Sequence, residues 1–163
     1  MQEQPHISVS YSTTTIALGT LSTSSIASST VTVTITTNAP NGYVSSIVAN
    51  NAFRRTSNTS QKIANVGDGT VDGTASGTAD SAEYGVRTSG AHGQYNATDT
   101  CIPYSGADSD SPACTTSAKT FATHTSWVSS DTTTLTFKMI IGSTTPAGSD
   151  YAQSITLITT GTF

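Results

Sequence analysis

At 163 residues the chain has the size of one domain, and a domain of that size buries about 70% of the surface its unfolded form exposes. Thirty-three threonines and 25 serines make up more than a third of it, while only 16 residues carry a formal charge and the net charge is −4. Six basic residues against ten acidic ones exclude the electrostatic footprint of a nucleic-acid binder. No apolar run is long enough to span a bilayer, and residues 1 to 10 lack the charged and apolar regions of a signal peptide.

Threonine is β-branched and can present its hydroxyl on the solvent face of a pleated strand, so the composition favours sheet without needing Lys or Glu for polarity. Ile7, Val9 and Tyr11 alternate with Ser8 and Ser10, which predicts a half-buried N-terminal strand. At the extreme end of the chain, residues 1–12 are therefore expected to form either an edge strand or one donated to a neighbour. Val31, Val33 and Ile35 alternate with Thr32, Thr34 and Thr36 up to the turn cluster Asn38-Ala39-Pro40-Asn41-Gly42. With Tyr43 to Val48 as the return strand, residues 30 to 49 read as a β-hairpin.

Shorter strands are expected at Lys62 to Val66 and Glu83 to Thr88, separated by a glycine-rich loop over 67–82 with almost nothing to bury. Residues 89–130 read as an insertion. Leu135, Phe137, Met139 and Ile141 share one face, as do Ile155 and Leu157, with Gly142 to Gly148 joining the two as a second hairpin. At least six strands and no helix predict a single all-β domain over 1–163, an antiparallel sandwich or jelly roll with a long loop-rich insertion.

Cys101 and Cys114 are the only cysteines, and they enclose a segment holding Pro103, Gly106 and Pro112 that brings its ends together easily. A disulfide is expected, and with it an oxidising, extracellular or cell-surface setting from which any signal has been removed. Two thiols alone do not make a structural zinc site. The three histidines, His6, His92 and His124, fall in separate segments without metal-ligand spacing, and no G-x-S-x-G elbow singles out a serine. No catalytic residue, metal site or cofactor is assigned, and the chain is not expected to be an enzyme. Asp68, Asp72 and Asp80, or Asp108 and Asp110, offer oxygen ligands of the kind calcium takes, but without EF-hand spacing.

Trp127 is expected to fill core or cap one end of the sandwich, as most sandwich tryptophans do, although an exposed one would stack on a sugar ring. Tyr84, Tyr95 and Tyr104 lie in the loop-rich half, and Tyr104 with Trp127 forms the candidate ligand surface. Asn58-Thr59-Ser60 and Asn96-Ala97-Thr98 match the N-glycosylation pattern, making Asn58 and Asn96 candidate acceptors.

The run Leu18-Gly19-Thr20-Leu21-Ser22-Thr23, the segment SSTVTVTITTNAPNGY and the C-terminal STTPAGSDYAQSITLITTGTF together resemble a group of Ser/Thr-rich secreted bacterial surface β-sandwich proteins. The likeness covers the two ends, about half the chain, and carries no catalytic residues. More loosely, Ile16 to Leu21 ahead of Val31 to Thr36 is similar to the layout of TasA/camelysin-type fibre-forming subunits, although the Pro-Gly-Asp turn of that class is missing. Trp127-Val128-Ser129 is not the Trp-x-Leu of a WxL domain. The resemblance implies an extracellular structural subunit of a filament, pilus-like fibre or surface layer, assembling with copies of itself by β-strand addition through Ile7, Val9 and Tyr11. The alternative is an adhesin or carbohydrate-binding module that recognises surface glycans.

Overall fold

A computed structural model describes residues 3–73, 82–104, 114 and 116–163. The chain is all-β, with two sheets in a curled, sandwich-like arrangement. Its strands are β1 (Ile7–Tyr11), β2 (Ala27–Thr37), β3 (Tyr43–Ala49), β4 (Phe53–Arg55), β5 (Lys62–Asn65), β6 (Glu83–Ser89), β7 (Lys119–His124), β8 (Val128–Ile140), β9 (Tyr151–Ala152) and β10 (Ile155–Gly161). Seven of them form one sheet in the order β1-β2-β8-β6-β5-β4-β9, and three form the other in the order β10-β3-β7. Every named neighbour pair is antiparallel except β5 with β6.

The period-2 pattern does what it should within each strand. Val31, Val33 and Ile35 of β2, Tyr43 and Ile47 of β3, and Leu135, Phe137 and Met139 of β8 all turn inward and are at most 5% exposed. Burying a side chain of this kind is worth about 1.5–3 kcal/mol, so these three strands supply much of the hydrophobic drive. Outward-facing threonines meet across the ladder, as where Thr32 and Thr134 hydroxyls lie 3.1 Å apart.

Neither expected hairpin forms. β2 belongs to the large sheet and β3 to the small one, so the segment 38–42 carries the chain from one layer to the other. Ala39 is fully buried at this corner. Gly42 adopts φ +74°, and a Cβ there would sit 2.0 Å from the His124 carbonyl oxygen, so glycine is required by both conformation and space. Likewise β8 and β10 lie in different sheets, and residues 141–150 lead from β8 to the opposite edge of the large sheet at β9 before the chain enters β10. A hairpin and a crossover between facing layers present the same alternation, which is why the pattern misassigned the partners.

The region 89–130 is not a separate insertion. It contains β7 and the first residues of β8, and its remaining described residues are stitched in. Thr100 exchanges backbone hydrogen bonds of 2.8 and 2.9 Å with Val86, and Ala49 N–H donates to the Pro103 carbonyl at 2.7 Å. The described part of the glycine-rich loop is also not empty, since Val71 is 1% exposed and packs with Val66 and Ile140 in a small second core. Residues 74–81 of that loop lie outside the described residues.

Candidate functional site: two free edges, a cavity and a polar cap

Among the described residues β1 pairs only with β2, from Ile7 opposite Thr37 to Tyr11 opposite Val33. Asn38 N–H donates to the His6 carbonyl and Ser12 N–H to that of Thr32. Backbone groups alternate sides along a strand, so the even-numbered residues face β2 and those of Ile7, Val9 and Tyr11 point out along the free edge. The side chains of Ile7 and Val9 are half-buried against the core, whereas Tyr11 is 40% exposed. The small sheet ends in a second free edge at β10. Asn50 N–H donates to Ser154 and Asn41 N–H to Thr162, which by the same alternation leaves Ile155, Leu157 and Thr159 with outward-facing backbone. β1 and β10 touch, so both edges flank the same side of the molecule.

Beside them lies a cavity of about 590 Å³, lined by Tyr11 and the following segment through Leu18, by Leu157 of β10, and by Val31, Leu135 and Phe137 of the core.

At one end of the sandwich Asp131 points inward from β8 and its side chain is 12% exposed. It accepts a 2.5 Å hydrogen bond from the Tyr43 hydroxyl, and His92 Nδ1 lies 2.9 and 3.0 Å from its two oxygens. Burial, reinforced by the Asp131 carboxylate, pushes the Tyr43 phenol well above its ordinary range. The His92 and His124 rings meet edge to face with centroids 4.1 Å apart, so two histidines from distant segments converge. The preceding residue, Ser130, has φ +59°, a left-handed conformation that costs a non-glycine residue about 1–3 kcal/mol. It falls where the β2–β8 pairing shifts between Ile35 and Thr37. No serine, threonine or cysteine side chain bonds to His92, so the His–Asp pair has no nucleophile among the described residues. Nor do three His, Cys, Asp or Glu side chains there converge as metal ligands.

The candidate residues are dispersed. Cys101 and Cys114 are bonded, with Cα atoms 5.8 Å apart. Tyr104 is 6% exposed and Tyr84 is 2% exposed, so both are core residues and not a recognition surface. Trp127 reverses the expectation in the other direction: it is 68% exposed in the turn between β7 and β8. Tyr104 and Trp127 thus form no common surface. Asn58 and Asn96 are both exposed, and the Asn96 amide donates to the Gly90 carbonyl at 2.9 Å while its oxygen accepts from Thr88 at 3.0 Å. Asp68 accepts from Thr70 N–H within its own turn; Asp80, Asp108 and Asp110 lie outside the described residues.

One polar hub had no motif to announce it. The Asp99 carboxylate has no solvent exposure, binds Arg87 Nε at 2.8 Å and Lys138 Nζ at 3.1 Å, and accepts from Val71 N–H at 2.9 Å. It fastens the loop after β5 to the outer face of β6 and β8, a task whose partners are 28 to 39 residues from it or more local, at 12. No protein-family model, curated protein or solved structure matches the chain.

Proposed function

We propose that the protein is an extracellular structural subunit that polymerises by donating β1 to the next copy. The observation that supports this most is the standing of β1: an alternating apolar strand held, among the described residues, by a single ladder and followed by residues 12–26 before β2 begins. Removing it would unpair one side of β2, whose Val33 and Ile35 belong to the core. A neighbour's β1 restores the same contacts in the same register, and a head-to-tail exchange that does not close gives a fibre. The disulfide fits an oxidising setting.

Ser10 faces Thr34 across this ladder. The hydrogen-bonded pair geometry places their Cα atoms about 5.5 Å apart, within the range a disulfide spans. S10C protein is mixed with T34C protein under assembly conditions and oxidised. Strand donation yields a covalent heterodimer, and the S10C/T34C double variant yields a ladder of covalent oligomers on a non-reducing gel. If the double variant gives only a cross-linked monomer while electron microscopy still shows filaments, β1 stays at home; if no ordered polymer forms at all, the structural reading falls.

The exposure of Trp127 supports a second reading, a glycan-binding surface at the β7–β8 turn. It requires hits on a glycan array that Trp127→Ala abolishes.

A further inference from the structure

We infer that Lys138 and Asp99 condense to an intramolecular amide, a covalent cross-link between β8 and the segment that leads into the disulfide. Lys138 Nζ lies 3.1 Å from Asp99 Oδ1 and 3.3 Å from Oδ2. Reaching both oxygens, the nitrogen faces the carboxyl carbon near the roughly 3–3.5 Å separation of a near-attack pair. The side chain of Asp99 has no solvent exposure and that of Lys138 only 22%, so two charges are held where taking charge out of water is costly.

Sequence and register build this enclosure. β6 and β8 pair Gly85 with Lys138 and Arg87 with Thr136, and the inward turn of Phe137 and Met139 leaves Lys138 on the outer face. A Cβ on Gly85 would meet Val66 at 2.7 Å, Val71 at 3.1 Å and the Thr100 carbonyl oxygen at 3.2 Å. The missing side chain therefore lets these residues press onto the sheet beside the amine. The carboxylate is fixed by two further donors, Arg87 Nε at 2.8 Å on Oδ1 and Val71 N–H at 2.9 Å on Oδ2.

The condensation balances within the pair. The ammonium passes one proton to Oδ2, and its freed lone pair forms the Nζ–Cγ bond. The carbonyl electrons move onto Oδ1, whose negative charge faces the Arg87 Nε–H. A second proton then passes from nitrogen to Oδ2, the Cγ–Oδ2 bond breaks with its electrons on oxygen, and the carbonyl re-forms at Oδ1. Water departs with its oxygen from Asp99 and both hydrogens from Lys138, and nothing is oxidised or reduced. Free in solution the separate ions are favoured, but groups held in place react at effective concentrations of up to about 10⁵–10⁸ M. The amide also removes both charges from the enclosed site.

The test is intact-protein mass spectrometry of the full chain. The expected mass lies one water below that of the sequence with its disulfide formed, and proteolysis should release a branched peptide joining residues 99 and 138. Lys138→Arg keeps a positive charge beside Asp99 but offers no condensing amine, so it should return the full mass. The inference is overturned if the unaltered protein has the full mass and an amine-reactive label, added after denaturation, modifies Lys138. It also falls if the lost water persists in Lys138→Arg or maps to Asp68 or Asp72, each followed by glycine, because an Asp-Gly pair dehydrates to a ring without any lysine. The branched peptide is read on the unaltered protein, so its presence or absence decides the question even if Lys138→Arg fails to fold.

Discussion

Phe137 is 1% exposed on β8, which lies between β2 and β6 in the large sheet, and it also borders the cavity. Truncating such a side chain removes its transfer free energy and enlarges the void, so Phe137→Ala should cost about 3–5 kcal/mol in denaturant melts. A loss below about 1 kcal/mol would mean that the surrounding strands collapse into the space. Asp150 controls a different kind of contact. Its carboxylate accepts from the Ser57 hydroxyl and Ser57 N–H at 2.5 and 2.8 Å and from Arg55 Nε at 2.7 Å. These bonds, led by those from Ser57, hold its pKa below the ordinary carboxylate range. A depressed folded pKa means that the group stabilises the fold fully above its unfolded value of about 3.9, and progressively less as pH falls below it. Melting temperature followed against pH should therefore separate Asp150→Asn from the unaltered protein near neutrality and bring the two together in acid. Curves that stay parallel down to the lowest pH would show that the amide keeps the same contacts.

At the scale of elements, the legible part was whatever a strand announces by itself. Half-buried strands alternate, so β1, β2, β3, β8 and β10 could be read from residues such as Val31-Thr32-Val33-Thr34-Ile35. Partner choice could not, because alternation names a face and not a neighbour. β4 and β9, three and two residues long, carry no period at all, and β7 hides in FATHTSWVSS, where Phe121 and Ala122 are both fully buried and alternation fails. The same limit explains the aromatic side chains: Tyr104 is buried because Ile102 and Pro103 lead its segment beside β3, while Trp127 is left outside by a tight turn. The disulfide was legible because a chain with only two cysteines offers a single internal pairing. In the chain-entropy model a closed loop of this length stabilises by roughly 3 kcal/mol, so a C101S/C114S variant should lose about that much in denaturant melts. A difference under about 1 kcal/mol would show that the packing of Ile102 and Tyr104 already restrains the segment.

For the whole molecule, the decisive feature is that one sheet is wide and curled and the other narrow. That inequality leaves β1 and β10 unpaired along the same flank. The consequence is not visible from composition, since it depends on how many strands each layer receives. Ile7, Val9 and Tyr11 were legible as an alternating strand, whereas Tyr84 and Gln153, which line the cavity, looked like ordinary members of a loop-rich region and a C-terminal strand.

The two crossovers between layers also determine when the molecule can come into being. Thr32 finds Thr134 at a separation of 102 residues, and Ser45 finds Thr159 at 114, so the central ladders join the first third of the chain to its last fifth. β1 can close on β2, and β4 on β5, while the chain is still short, but the entropy of closing the longer loops must be met before the contacts of β8 and β10 form, which places the fold among slow, non-local topologies. A chain delivered from its amino end therefore waits, with one edge of β2 and one edge of β3 unpaired, until β8 and β10 arrive. During that wait the alternating threonines keep one face of each strand wettable, and a surface chemistry that looks merely decorative in the finished protein guards the unfinished one against sticking to its neighbours.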